Sequence, residues 1–193
     1  MVTDLGALLG GAFNFASGVN DNGQIVGGAN LLGEAVQHAF VWQDGVTQDL
    51  GALPNNQGSF AISINNKGQA VGMSAQGFDG GGSAAFSCPC RAVLWQDGAV
   101  IDLNSFVPAG SGWELFTGEA INEKGQIAGQ AIRNGNLSAY LLTLPDDPVS
   151  QARTIIPALH NADARVGAVS SIRRLTRPLQ NGGRLQVNKK SHR

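Results

Sequence analysis

The chain has 193 residues, enough for one domain, or one domain with a tail. Glycine accounts for 27 residues and aromatics for 6%, which suits many short strands joined by turns rather than helices. No apolar run reaches the ~18 residues that a membrane-spanning helix needs. The formal net charge of −1 conceals four Lys/Arg against eleven Asp/Glu in residues 1–145, and nine against three in residues 146–193. That break sets the expected boundary between a β domain and a basic tail.

In chain order, Val2-Thr3-Asp4-Leu5-Gly6 enters directly into repeat sequence and carries no signal peptide. Either the protein is cytoplasmic or the chain lacks its natural beginning. Next comes Val19-Asn20-Asp21-Asn22-Gly23-Gln24-Ile25-Val26-Gly27. It returns at 64–72 and again at 121–129, as apolar-Asn-x-x-Gly-Gln-x-x-Gly. Three copies of such a string identify a repeat protein. Each copy predicts a hairpin. Asn sits where its side chain reaches backbone two residues on, and the first Gly takes the positive-φ position of a type I turn with a G1 bulge. Gly27, Gly72 and Gly129 mark a bulge or a close backbone approach. A calcium loop is disfavoured, because no copy holds the acidic string with a distal Glu.

Each repeat carries four strand signals. The first precedes the Asn turn (15–19, 60–64, 118–121) and the second follows it. The third is the most apolar (38–42, 91–95, 138–142) and reads as buried on both faces. Turns of Gln-Asp-Gly lead into the fourth (46–50, 100–103). The third repeat has no fourth strand, while residues 2–6 read as a lone one, so twelve strands are expected. Repeats of about 1–51, 52–104 and 105–145 predict three four-stranded antiparallel units. Such an all-β array is β-propeller-like. Three blades do not easily surround a channel, so the expectation is a partial or unusual ring, or one that self-association with another chain completes.

The words His-Ala-Phe-Val-Trp-Gln-Asp-Gly (38–45), Asp-Leu-Gly-Ala-Leu (4–8 and 49–53) and Ile-Asn-x-x-Gly-Gln-x-x-Gly together resemble the "HAF" family of extracellular bacterial repeat proteins. The resemblance covers roughly residues 1–145. It implies a propeller-like protein, secreted or attached to the cell envelope, with no assigned catalytic residues. Arg91-Ala92-Val93 and Ser138-Ala139-Tyr140 depart from the His-Ala-Phe word, and no export signal is present.

The tail, 146–193, predicts a short helix within 149–159, a second helical stretch at 170–177 and a basic end without structure. It is expected to pack little against the repeats. Its cations are scattered, which makes a solvated tail the better reading than nucleic-acid binding.

Cys88-Pro89-Cys90 has a metal-like spacing but offers only two ligands. Structural or reduced cysteines, a strained disulfide, or pairing to another chain remain open readings. No metal or cofactor is expected: Gly80-Gly81-Gly82 lacks the residues of a phosphate loop, and Ser59, Ser63 and Ser87 lack a nucleophile-elbow context. His38, Arg91 and Ser138 share one slot, and Trp42 and Trp95 read as core. Trp113 stands in a long connection with no repeat counterpart, where an aromatic is a contact candidate. Connections of unequal length fall on one rim of the meander, so Phe78, Asp79, Phe86, Arg91, Trp113 and Glu114 are the candidate ligand-binding residues. The expected function is a non-catalytic interaction or scaffold module for a protein or glycan. The rivals are a polysaccharide-acting propeller, for which Glu114 and Glu119 are the nominated carboxylates, and a truncated fragment of a longer repeat protein.

Overall fold

The structure, a computed structural model, describes residues 1–6, 9–33, 36–76 and 90–152. They form three antiparallel sheets. The first holds β1 (Gly10–Val19), β2 (Ile25–Leu31), β3 (Gln37–Gln43) and β4 (Val46–Asp49). The second holds β5 (Gly58–Ile64), β6 (Ala70–Ala75), β7 (Cys90–Gln96) and β8 (Ala99–Asp102). The third has three strands, β9 (Trp113–Ile121), β10 (Gln126–Arg133) and β11 (Asn136–Thr143). Strands adjacent in sequence are adjacent in space, so every sheet is a meander. The described residues thus contain eleven strands, not twelve. Residues 2–6 pair with no sheet; Val2, Thr3 and Asp4 lie in solvent, and Leu5 packs on the first sheet instead.

The repeated nonapeptide is the joint between sheets. In each copy the Gly N–H donates to the Asn carbonyl three residues back, and the Asn N–H donates to the Gln carbonyl, at 3.0–3.1 Å. Gly23, Gly68 and Gly125 have φ of +76°, +74° and +70°, the left-handed values that the expected turn requires. The Asn side chain then does more than close its own turn. Asn65 Oδ1 accepts from Lys67 N and Gln69 N, both at 3.1 Å. Its Nδ2 donates to Gln69 Oε1 at 2.7 Å and to the Asn122 carbonyl of the next sheet at 3.0 Å. Asn20 repeats the pattern, reaching Gln24 Oε1 at 2.7 Å and the Asn65 carbonyl at 2.9 Å. The amide therefore uses both donors and both acceptor sites, and Asn65 is only 2% exposed.

The closing glycines have a second cause. Registers shift between Ala16 and Gly18 on β1, and between Ala61 and Ser63 on β5. A comparable irregularity falls where β9 pairs with Ala128 and Gly129 of β10. Each bulge pushes a carbonyl across the sheet. A Cβ on Gly27, Gly72 or Gly129 would run into the carbonyl oxygen of Phe15, Phe60 or Thr117.

The sheets pack face to face. Val26 and Ala39 of the first meet Ala61, Ile64, Ala70, Val93 and Trp95 of the second. Val71, Ala92 and Leu94 on the other face of the second sheet meet Leu115, Ile127, Ala131 and Tyr140 of the third. The expected two-sided burial of the third strand holds for β7, which lies between two sheets. It fails for β11, where Leu137 and Leu141 are 57% and 69% exposed, because no described residue covers that face. The connections between sheets are also part of the core. Leu50 and Leu53 pack between the first and second sheets, and Leu103, at the head of a short 3-10 turn (Leu103–Phe106), packs between the second and third.

Residues 1–156 form one compact unit and 157–193 a second; the second lies outside the described residues. The core continues past 145: Pro148 is fully buried, and Val149 and Ala152 pack on the third sheet's cluster. The expectation of little packing after about 146 therefore does not hold for 148–152. Residues 148–152 are helical. Asp147 caps them by accepting from Ser150 N at 3.0 Å, with Pro148 following it. Among the described residues no helix is long and apolar enough to cross a membrane.

Asn65→Ala removes a buried amide whose partners then go unsatisfied, and is expected to lower stability by about 2–3 kcal/mol. Asn122→Ala, at an exposed turn, should cost about half as much or less. Urea midpoints of the two variants check the order. Gly72→Ala should be at least as damaging as Asn65→Ala, because the obstacle is backbone rather than a movable side chain.

Candidate functional site

The meander sorts the connections onto two rims. One carries the turns 20–23, 65–68 and 122–125 together with 44–45 and 97–98. The other carries the unequal connections, and here three of the nominated residues come together. Arg91, Trp113 and Glu114 line one open cavity of about 330 Å³ with Asn104, Ser111 and the 107–110 turn. Phe78, Asp79 and Phe86 lie outside the described residues, as does Cys88. Cys90, buried at the start of β7 on the same rim, has no free thiol: it is disulfide-bonded.

Trp113 does not stand in a loop. It begins β9, in register with Arg133 of β10, whose guanidinium lies 4.9 Å from the ring centroid. The strand is longer than expected because β10 and β11 run on to a two-residue turn, Asn134 (φ 51°) and Gly135 (φ 81°). Asn134 N donates to the Gly112 carbonyl at 2.9 Å, which ties the 103–112 connection to that turn. The Asn-Gly pair is a strong hairpin signal that stands in the sequence. Asn104 holds the other side, donating to the Leu115 carbonyl at 2.8 Å and accepting from its N–H at 2.7 Å. Ser111 Oγ and Ser105 Oγ are buried and have no hydrogen-bond partner. Ser111 lines the cavity beside an indole, a guanidinium and a carboxylate, but its own hydroxyl is buried.

The slot shared by His38 and Arg91 has a structural explanation. His38 Nδ1 lies 2.9 Å from Asp49 Oδ2, and Arg91 Nε lies 3.6 Å from Asp102 Oδ2. Asp49 and Asp102 are the acids of the Asp-Leu words. Each also accepts from a backbone N–H two residues on, Gly51 at 2.7 Å and Asn104 at 2.9 Å. The third-strand basic residue and the fourth-strand acid thus pin the start of each inter-sheet connection. Burial works to raise the Asp49 pKa, but the hydrogen bonds from His38 and the Gly51 N–H, with the His38 charge, outweigh it and leave it lowered.

Ser59 is likewise structural, donating to the Gly51 carbonyl at 2.7 Å and accepting from Ala39 N. Glu114 and Glu119 do not converge. They stand five residues apart on one strand, roughly 16 Å at ~3.3 Å per residue, against the ~5–10 Å that paired glycosidase carboxylates need. Glu119 instead accepts from Thr117 Oγ1 at 2.7 Å. Burial, and then the Glu119 charge, raise the Tyr140 pKa, and its hydroxyl donates to the Thr117 carbonyl at 2.9 Å. A second cavity of about 350 Å³ opens on the repeated-turn rim between the first two sheets, lined by Gln24, Gln48, Asp49, Lys67, Gln96 and Asp97 among others. Of these, Lys67 and Asp97 sit in turns, and Gln48, Asp49 and Gln96 at the ends of strands. Among the described residues no group of three or more His, Cys, Asp or Glu could hold a metal ion.

A lowered folded-state pKa means that the Asp49 contribution is present above the usual carboxylate value of 3.8 and is lost as pH falls through the folded-state value. With side chains 19% and 40% exposed, the contribution at neutral pH should stay below about 1 kcal/mol. Asp49→Asn should therefore be less stable than the parent at pH 6, and the two should converge near pH 2. Denaturation curves at both pH values check this.

Comparison with family models, with curated proteins and with solved structures finds no match for this chain.

Proposed function

We propose that the chain is a non-catalytic interaction module of propeller-like type, which binds its ligand on the rim of unequal connections. The observation that carries the reading is the cavity around Trp113. There a half-buried indole and the exposed Arg91 and Glu114 meet at one opening. An aromatic plane beside a few fixed polar groups suits a polar ligand with an apolar face, such as a glycan or a protein loop. The division of labour between rims supports it. The repeated turns spend their amide groups on joining sheets, while the other rim differs from repeat to repeat. The resemblance to the HAF repeats makes such a module part of a secreted or envelope protein.

The test is a glycan array followed by titration calorimetry with any glycan retained. Trp113→Ala is expected to weaken binding at least tenfold, and Lys67→Ala on the opposite rim to leave it unchanged. Loss with Lys67→Ala alone would move the site to the repeated-turn rim.

A further inference from the structure

The stack of sheets is directional, and its two ends match. Every internal joint has the same parts. The earlier sheet contributes an apolar face: Val26 opposite Val41 and Gly28 opposite Ala39 in the first sheet, Val71 opposite Leu94 and Met73 opposite Ala92 in the second. The Asn side chain of its turn donates to the Asn carbonyl of the next sheet. Its fourth strand then leads, through an Asp-Leu word, to leucines that fill the joint.

The third sheet offers the first two parts with no described residue on the receiving side. Ala128 opposite Leu141, and Gln130 opposite Ala139, are the equivalent pairs, and Ile132 opposite Leu137 extends the same face. Leu137 and Leu141 are 57% and 69% exposed. Asn122 Nδ2 donates to Gln126 Oε1 at 2.8 Å, with no second carbonyl acceptor among the described residues. Among them the third part is missing as well, for β11 pairs with β10 alone. The first sheet has the complement. Its far face carries Phe40, which is buried, and the partly exposed Ile25 and Trp42; among the described residues Leu5 and Leu9 pack there. Its Asn20 carbonyl accepts from Gly23 N but from no other Asn. Ahead of it stands an unpaired Val2-Thr3-Asp4-Leu5-Gly6, nearly the fourth-strand sequence Val46-Thr47-Gln48-Asp49-Leu50-Gly51. Its Asp turn is already formed, Gly6 N donating to Asp4 Oδ1 at 3.0 Å, as Gly51 N donates to Asp49.

We infer that two copies of the chain join head to tail: residues 2–4 of one copy pair along the open edge of β11 of the other, and its first sheet seats on the exposed face of that third sheet. The contact is strand addition at a sheet edge, heterologous in kind. The internal pairings set its register. Asp49 pairs with Phe40 and Asp102 with Val93, while Gln48 pairs with Val41 and Ile101 with Leu94. By the same rule Asp4 faces Tyr140 and Thr3 faces Leu141. Two chains of three sheets give six, within the roughly four to eight of closed propellers, so the arrangement closes at two copies.

Variants that each add one cysteine to Cys88 and Cys90 test the register. Thr3→Cys and Leu141→Cys alter exposed side chains, so folding is not at risk. Mixed and oxidised, they should form an inter-chain disulfide, seen on a non-reducing gel at about twice the 20.0 kDa chain mass, because directly opposed strand residues lie within disulfide reach. Each variant alone should give none. No cross-link in the mixture, or equal cross-linking by either variant alone, overturns the proposal. In sedimentation the parent should be a dimer at micromolar concentration and Leu141→Arg a monomer. A monomeric parent, or a dimer indifferent to Leu141→Arg, overturns it as well, and species that grow with concentration past two copies overturn closure at two.

Discussion

One buried carboxamide holds this architecture together. Asn65 satisfies its own turn with its oxygen and binds both Gln69 and the next sheet's turn with its nitrogen. No other residue type does all of this from that position. Asp has no donors, Ser is too short to span to the next sheet, and Gln would place its amide one carbon too far to close the turn. Everything else about the repeat follows from keeping that amide in place. The turn glycine lets the chain curl around it, and Gln four residues on supplies the acceptor. The bulge on the preceding strand tilts the turn, and the closing glycine makes room for the carbonyl that the bulge displaces. A run of nine residues is thus one device rather than a turn with decorated flanks.

Lateral hydrogen bonds between turns reinforce it. Asn66 accepts from Asp21 N and donates to Asp21 Oδ2, and its own N–H donates to Glu123 Oε1. These are exposed and individually weak. Their effect is to make neighbouring turns chemically specific for one another, since each position faces its counterpart one repeat away. Ser59, Ser74 and Trp95 of the second sheet anchor the connection that arrives from the first sheet, through the Gly51 and Gly58 carbonyls and the Leu53 N–H. The connections therefore behave as core, not as surface loops.

The sequence carried the strand order, the turn type and the positive-φ glycines, because these depend on local chemistry that a repeat states three times over. It did not carry what depends on a neighbour. Asn20, Asn65 and Asn122 are recognisable as turn residues, yet the bonds of Asn20 and Asn65 to the next turn span 45 and 57 positions and leave no local trace. His38 and Arg91 look like unrelated occupants of a slot until Asp49 and Asp102 are seen opposite them. Residues 2–6 have the composition of a strand but no edge to join, and composition alone cannot supply a partner. At the candidate site the meander brought Arg91, Trp113 and Glu114 to one rim, as strand parity requires. The placement of Trp113 on a strand needed the Asn134-Gly135 turn to be recognised. Ser111 carried no signal at all, since an unsatisfied hydroxyl is a property of packing.

Because the register of each sheet against the next is keyed from the rim of the Asn turns, the far rim is mechanically decoupled from it. A connection there can be lengthened, as the stretch between Ala75 and Cys90 is relative to Leu31 and Gln37, without disturbing the amide that aligns the sheets. Insertions elsewhere in the repeat would shift strand parity or break the joint. The molecule is therefore built as a display frame: one edge is closed to sequence change, and on the other the connections between second and third strands are free to diversify within a fixed spacing of anchor points. Loop exchange at that edge, between repeats or from unrelated hairpins, is a change of surface with no change of scaffold.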